Sequence, residues 1–257
     1  MKNLVKVLCL TLCLLMIGGI GLADTVEKII VGTNAEFPPF EYIADDGSFA
    51  GFDMDLIRAV MDAIGVEYEI QTMDFDSLLP SLASGKIQVS IAAMTIRDDR
   101  KENALFSDPY FHATQKIIVK ADNEAVASEA DLAGKTVGVQ LGTTGDLYIS
   151  DLVDYESTVE RYTKALDAVM DLARGRLDAV IVDEGVSAFF VESIEGLKIL
   201  DDTLSDEYYG IAMKLGEDEF MAKINEQLAK FVEDGTYDEL FVKHFGAIDT
   251  EEGEATK

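Results

Sequence analysis

Short β-rich runs and helical patterns alternate along almost the whole chain, and this alternation constrains the fold more than any other feature. The β-rich runs are "KIIVGT" from Lys28, "VEYEIQT" from Val66, "QVSIAA" from Gln88, "QKIIVK" from Gln115, "KTVGVQ" from Lys135 and "DAVIV" from Asp178. Strands that alternate with helices are typical of βαβ units, so we expect an α/β protein with parallel sheets. Between the first two runs, apolar residues from Phe52 to Ile64 recur at helical spacing, and Gly65 follows where a C-terminal cap is expected.

Two segments of the chain look alike and indicate two similar lobes. "SGKIQVSI" (84–91) and "RGRLDAVI" (174–181) each place a glycine and a basic residue before a strand. The chain after Tyr209 is longer than a second lobe needs, so we expect it to return to the first. We predict two Rossmann-like α/β lobes, joined by two hinge strands near 110–114 and 205–209. The predicted boundaries are 24–112 with 208–250 for lobe 1, 113–207 for lobe 2, and 251–257 for a flexible C-terminal tail.

The first 23 residues are typical of a secretory signal peptide. A positively charged start precedes an apolar run at 7–20, and small residues precede the predicted cleavage after Ala23. The alternative is an uncleaved membrane anchor, but the run is too short to span a bilayer comfortably. Cys9 and Cys13 lie in this run, and neither follows the small residue of a lipoprotein signal. We therefore expect a periplasmic mature chain without cysteine, lipid anchor or membrane insertion.

The chain is strongly acidic, since 49 Asp and Glu stand against 21 Lys and Arg and give a net charge of −28. Such a charge repels nucleic acid and anionic lipid and attracts cations, although acidity also keeps an exported protein soluble. No glycine loop of the Walker or dinucleotide type is present, and His112 and His244 lack metal-ligand spacing. We expect no cofactor, no metal site and no nucleic-acid partner.

Polar and aromatic residues follow four strands at their carboxyl ends, where open α/β sheets bind ligands. The segments are "TNAEFPPFEY", "AMTIRDDR", "QLGTTGD" and "VDEG". The candidate binding residues are Asn34, Glu36, Phe37, Ala93, Met94, Thr95, Arg100, Gln140, Thr143, Thr144 and Asp183, with Phe75 from "MDFDSLLPSL". This set suits a zwitterion, because an arginine and helix-start amides bind a carboxylate while an aspartate binds an ammonium. No nucleophile is paired with a base.

Each of these residues also has a purely structural interpretation. Residues 97–100 can form a solvated helix start, Asp183 can serve only as an N-cap, and phenylalanines are usually core. We favour a binding site because the set shares corresponding strand ends. In that case Thr95 and Arg100 turn into a cleft, while residues 97–99 stay near water.

A set of motifs carries a resemblance to a known family over nearly the whole mature chain. The motifs are "VGTNAEFPPFEY", "GFDMDLIRAV", "MDFDSLLPSLASGKIQVSIAAMTIRDDRKENALFSDPYF", "DLAGKTVGVQLGTTGD" and "GTYDELFVKHFG". The chain resembles the polar amino acid-binding periplasmic receptors of ABC importers, which are type II periplasmic binding proteins. The resemblance implies that Arg100 and Thr95 hold an α-carboxylate, Asp183 an α-ammonium, and Phe37 and Phe75 the side chain. It also implies partner permease and ATPase subunits, and we expect a monomer.

The positions that vary among such receptors favour a basic amino acid as the ligand. Glutamine-binding members have an aspartate where this chain has Asn34 and a lysine where it has Gln140. "AEFPPFEY" and "VQLGTTGD" look more like arginine-binding members, so Glu36 becomes a candidate partner for a guanidinium. If Glu36 points to solvent instead, glutamine or another neutral polar amino acid is the alternative.

Two other classes of function are weaker alternatives. An enzyme on the same scaffold, similar to cyclohexadienyl dehydratase, needs a general acid in the cleft, and Glu36 is the only evident candidate. A detached sensor module of a receptor is disfavoured because no transmembrane helix or signalling domain follows "TEEGEATK". We therefore predict a binding protein rather than an enzyme.

Overall fold

The computed structural model describes residues 28–246, so the predicted signal peptide and the tail at 251–257 lie outside the described residues. The strands are β1 (Ile29–Thr33), β2 (Glu36–Phe37), β3 (Glu41–Ile43), β4 (Phe49–Ala50), β5 (Tyr68–Thr72), β6 (Val89–Ser90), β7 (Leu105–Phe106), β8 (Phe111–Ala113), β9 (Gln115–Lys120), β10 (Thr136–Gln140), β11 (Thr158–Tyr162), β12 (Ala179–Asp183), β13 (Leu197–Ile199), β14 (Glu207–Tyr209) and β15 (Ala212–Met213). The helices are α1 (Phe52–Ile64), α2 (Phe75–Ser84), α3 (Asp98–Lys101), α4 (Thr144–Asp151), α5 (Ala165–Ala173), α6 (Glu184–Ser193), α7 (Asp218–Asp234) and α8 (Thr236–Phe245).

Two five-stranded sheets form the framework of the protein. The first sheet has the strand order β5-β1-β6-β15-β7, and the second has the order β11-β10-β12-β9-β13. In each sheet, three neighbouring strands that are connected through helices run parallel, with β1 or β10 at the centre. The predicted α/β fold class is confirmed by this arrangement.

The sheets are mixed rather than wholly parallel, which corrects the expectation drawn from the alternation. β9 lies antiparallel to β12 and β13, and β15 lies antiparallel to β6 and β7. Each of these two strands enters its sheet directly after β8 or β14, without an intervening helix that would reverse the chain direction. The strand therefore runs against its helix-connected neighbours.

β8 and β14 pair with each other and connect the two sheets. The pairing is antiparallel, with Phe111 opposite Tyr209, His112 opposite Tyr208 and Ala113 opposite Glu207. β8 leads from the first sheet to β9 in the second, and β14 leads back to β15 in the first. The predicted two-strand connection is present, while the exact lobe boundaries stay a prediction.

The core follows the apolar patterns of the helices. In α1, the residues at helical spacing (Leu56, Ile57, Val60 and Met61) are fully buried, and the helix ends at Gly65 in the left-handed conformation. The C-terminal helices α7 and α8 pack against α1, so the end of the described chain returns to the first sheet. No helix within residues 28–246 combines the length and the apolar character that a membrane crossing requires.

Gly51, which precedes α1, supports a first testable prediction. Its φ angle is +116°, and a Cβ atom there would lie 2.1 Å from the carbonyl oxygen of Phe40. Because a backbone atom cannot move aside cheaply, Gly51→Ala is expected to lower the free energy of unfolding by about 3 kcal/mol or more. Urea denaturation at constant pH measures this loss.

Gly47→Ala is the matched control for that substitution. Gly47 also has a positive φ angle, +83°, but no atom lies within 4 Å of the added Cβ atom. This control is expected to cost only the left-handed conformation, about 1 kcal/mol. Equal losses in the two variants would contradict the steric explanation.

Candidate functional site

A small cavity, partly open to solvent, lies where the strand ends of the two sheets meet. Its lining residues are Phe37, Phe75, Ala92, Ala93, Thr95, Arg100, Gln140, Thr143, Thr144 and Asp183. The structure thus brings together all the residues predicted from the sequence except Asn34, Glu36 and Met94, and it adds Ala92. Both sheets contribute, since Gln140 ends β10 and Asp183 ends β12 of the second sheet, opposite the residues that follow β6 of the first.

Arg100 is buried, although it lies in the four-residue helix α3 between charged neighbours. Its Nη1 atom donates to the Thr95 carbonyl oxygen at 2.9 Å, and its Nη2 atom donates to the Gly142 carbonyl oxygen at 3.1 Å. Its guanidinium also lies 5.4 Å from the centre of the Phe75 ring. Burial lowers the pKa of Arg100 to about 10, so the side chain remains charged at neutral pH. Other guanidinium N–H groups remain to bind an anion.

The neighbours of Arg100 explain the charge pattern of "TIRDDR". Asp98 and Asp99 are exposed, and Arg97 is half-buried and pairs with Asp99 at 2.9 Å. Thr95 is buried and lines the cavity together with Arg100. The expected division of this segment between cleft and water is therefore present.

Asp183 is the buried acidic group of the cavity lining. It occupies the N-cap position of α6, but its side chain makes no capping hydrogen bond, so capping does not account for it. Its Oδ1 atom accepts a short hydrogen bond from the Tyr209 hydroxyl. Burial, followed by the negative charge of Glu207, raises the pKa of Asp183 to about 7. A bound cation would favour the ionised form of this carboxyl.

Glu207 is a functional candidate that the sequence analysis missed. It lies at the start of the crossover strand β14 and is buried. Its Oε2 atom accepts from the hydroxyls of Thr95 at 2.6 Å and Thr144 at 2.8 Å, and its Oε1 atom accepts from the Ser205 hydroxyl at 2.6 Å. The sequence feature that could have identified Glu207 is its position in the predicted hinge segment 205–209, beside the expected cleft.

Three predicted residues lie around the cavity rather than in its lining. Asn34 accepts a hydrogen bond from the Gln140 side chain at 2.9 Å and donates to the Met73 carbonyl oxygen. Glu36 forms an ion pair with Lys164 at 2.5 Å. Met94 packs in an apolar cluster with α2 residues.

Two buried carboxyl groups, Asp53 and Glu41, lie near each other, and Asp53 supports the strand end at Ala93. Asp53 accepts hydrogen bonds through Oδ2 from the Ala93 backbone N–H at 2.7 Å and from the Tyr110 hydroxyl at 2.8 Å. Ala93, held in this way, has an unusual φ angle of +44°. Burial, then the charge of the neighbouring Asp53, raises the pKa of Glu41 well above its ordinary value. Burial also raises the pKa of Asp53 to about 6.

Two joined α/β sheets whose strand ends enclose a cavity with buried charges of both signs define the class of two-lobed solute-binding proteins. The sequence matches the bacterial extracellular solute-binding proteins, family 3, over residues 29–247, and the chain belongs to that family. The resemblance seen in the motifs is thereby confirmed, as is the prediction of a binding protein rather than an enzyme.

Known relatives and solved structures are similar over most of their length. A probable histidine-binding protein of Neisseria gonorrhoeae is 35% identical over 231 residues, which are 88% of this chain and 85% of the relative. The structure of an ancestral arginine-binding protein bound to arginine is 43% identical, with a TM-score of 0.83, and the match covers 85% of this chain and 98% of that one. An ancestral arginine-binding protein bound to glutamine is also 43% identical, with a TM-score of 0.82 and the same coverage.

The buried Glu41 carboxyl gives a prediction about stability and pH. Because the folded state holds this proton while the unfolded state releases it near its ordinary pKa, the group costs stability as pH rises. Glu41→Gln keeps a neutral donor at this place and is expected to match the wild type near pH 4. Above about pH 5 it should exceed the wild type in free energy of unfolding by up to about 1.4 kcal/mol per pH unit.

Urea denaturation of ligand-free protein at a series of pH values from 4 to 8 measures this difference. Glu67→Gln is the control, because it removes one carboxylate from an exposed position. A difference between Glu41→Gln and the wild type that does not grow with pH would contradict a protonated Glu41.

Proposed function

We propose that this protein captures a polar amino acid in the cavity and delivers it to an ABC importer, and that the ligand is arginine or another basic amino acid. The single observation that carries this proposal is the pair Arg100 and Asp183, two buried groups of opposite charge that line one cavity. An amino acid carries the complementary pair of charges on a single carbon atom. Neither group forms an ion pair with another residue among 28–246, so both can serve a ligand.

Each end of the amino acid has its own partner in this proposal. The Arg100 guanidinium and the first backbone N–H groups of α4 bind the carboxylate, because both present donors in a site with little water. Asp183 binds the ammonium. Phe37 and Phe75 contact the side chain, and their ring faces suit a cationic group.

The choice of a basic side chain rests on charge and on the relatives. The chain has a net charge of −28, which attracts cationic solutes. Glu36, which precedes the cavity-lining Phe37 in β2, is the candidate carboxylate for a cationic side chain, and one similar structure holds arginine. The alternative is glutamine or another neutral amino acid, because Lys164 already pairs with Glu36 and another similar structure holds glutamine.

Ligand capture is proposed to close the two lobes over the amino acid. The lobes are residues 24–112 with 208–250 and residues 113–207. In the arrangement described, three polar contacts bridge the two sets in addition to those made by the crossover strands β8 and β14: Gln140 to Asn34, Arg100 to the Gly142 carbonyl oxygen and Lys164 to Glu36. A ligand favours this closed arrangement only if it binds residues of both lobes, as Arg100 and Asp183 allow.

The cellular setting follows from the family and the predicted signal peptide. Members of the family are extracellular or periplasmic solute-binding proteins of bacteria. We infer export through a signal peptide cleaved after Ala23, a monomer in the periplasm, and recognition of the closed form by permease and ATPase subunits of an importer.

A thermal-shift screen tests the proposed function. Protein stripped of ligand by unfolding and refolding is screened against the twenty amino acids, ornithine and citrulline. A ligand at 100 times its dissociation constant should stabilise the protein by about 2.7 kcal/mol. We expect the largest shift with arginine and smaller shifts with lysine and glutamine. No shift with any amino acid would contradict the proposal.

Arg100→Ala is expected to weaken binding of that ligand by roughly 2–5 kcal/mol, because the buried carboxylate loses its charged partner. Isothermal titration calorimetry measures the loss. Arg97→Ala is the matched control, since it removes an arginine three residues away that does not line the cavity. Equal affinities of the two variants would show that Arg100 does not bind the carboxylate.

A further inference from the structure

We propose that Glu207 is a specificity-determining positioning residue. It accepts hydrogen bonds from the hydroxyls of Thr95 and Thr144 and so, together with Asp183, makes one side of the cavity a site for an ammonium group. This inference rests on the proposed function, because it assigns the end of the cavity that receives the amino group of the ligand.

The direction of the hydrogen bonds carries the argument. An ionised carboxylate only accepts, whereas a threonine hydroxyl has one proton to donate and two lone pairs that accept. The Thr95 hydroxyl oxygen lies 2.6 Å from Glu207 Oε2, so the hydroxyl donates its hydrogen bond to the carboxylate. Its oxygen can then only accept from a ligand that enters the cavity. An ammonium is a donor and a carboxylate is not, so this inference assigns the Thr95 hydroxyl to the amino group and not, as the resemblance in the sequence implied, to the carboxylate.

Thr144 is fixed in the same way from the second sheet. Its hydroxyl donates to the same Glu207 oxygen at 2.8 Å and accepts from the Gln115 side chain at 3.0 Å. The Ser205 hydroxyl donates to the other Glu207 oxygen. Three hydroxyl donors therefore hold one buried carboxylate in place, and none of their protons is left to bind an anion in the cavity.

The charges on this side of the cavity agree with that assignment. Asp183 and Glu207 are both buried, and the side chains that hydrogen-bond to Asp183, the Tyr209 hydroxyl and the Gln115 amide, are neutral. The charges of both carboxyls act on Arg100, but the Arg100 guanidinium donates hydrogen bonds to the backbone oxygens of Thr95 and Gly142. Two acidic groups without a cation of their own leave room for a ligand ammonium.

The consequence is a penalty against ligands that lack the amino group. Such a molecule leaves the Thr95 oxygen without a donor and Asp183 without a cationic partner in a buried site, and sites of this kind reject the incomplete ligand strongly. Glu207→Gln removes the negative charge and offers an amide donor, which allows the Thr95 proton to turn into the cavity. The preference for the amino group should then weaken.

The test compares two ligand pairs by isothermal titration calorimetry. L-arginine is paired with 5-guanidinopentanoate, and L-glutamine with glutaramate; the second member of each pair lacks the α-amino group. The wild type is expected to prefer the amino acid by about 100-fold or more. In Glu207→Gln this ratio should fall at least tenfold, mainly through weaker binding of the amino acid.

Four further variants separate positioning from folding. Thr95→Ser keeps the hydroxyl and should keep the wild-type ratio, whereas Thr95→Val should lower it, and adding Glu207→Gln to Thr95→Val should lower it little further. Glu195→Gln removes an exposed carboxylate that does not line the cavity, and it controls for the loss of one charge. Melting of each ligand-free variant confirms that it is folded.

The outcomes distinguish failure of the role proposed for Glu207 from failure of the proposed ligand. An unchanged ratio in Glu207→Gln, or equal weakening of both members of a pair, reduces Glu207 to a structural role and overturns the inference while the proposed function stands. If the wild type binds neither L-arginine nor L-glutamine, the proposed basic or glutamine ligand fails, and the inference fails with it.

Discussion

The antiparallel pairing of β8 with β14 is the constraint on which the rest of the structure depends, because these strands make the crossings between the two sheets. Side chains alternate along a strand, so Glu207 and Tyr209 point to the same side, and both are buried, while Tyr208 between them is exposed. The crossover strand β14 therefore places Glu207 and Tyr209 where the strand ends of the two sheets meet. The Tyr209 hydroxyl donates a hydrogen bond to Asp183, and the hydroxyls of Thr95 and Thr144 donate hydrogen bonds to Glu207.

Buried carboxyls gather behind and beside the cavity at a cost to stability. Desolvation disfavours their charged forms, and the raised pKa values of Glu41, Asp53 and Asp183 express that cost. A fold selected only for stability would place apolar residues there. We infer that function explains why these carboxyls are present despite the loss of stability. A bound cation offsets the loss, and Asp53 fixes the backbone of Ala93 at the cavity wall.

Local patterns in the sequence predicted the strands β1, β5, β6, β9, β10 and β12, the class of fold and most of the cavity lining, because the carboxyl ends of neighbouring parallel strands must meet. They did not predict Glu207, whose contact with Thr95 spans 112 residues of sequence. Nor did they predict the directions of Asn34 and Met94, because side chains beyond a strand end follow no fixed period and tertiary contacts decide where they point. The antiparallel direction of β9 was not predicted for a related reason, because β9 follows the crossover strand β8 directly and no helix lies between them.

The ion pair of Glu36 with Lys164 bears on the side chain of the ligand but does not exclude a cationic one. The Lys164 side chain is 46% exposed and that of Glu36 is 28% exposed. Ion pairs at such positions are worth about 0–1 kcal/mol, because water and salt screen them. A guanidinium stacked on an aromatic ring in a drier site gains up to about 2 kcal/mol from that contact alone. The balance therefore lets an arginine side chain share or displace the pair, while a neutral amide has less to gain from doing so.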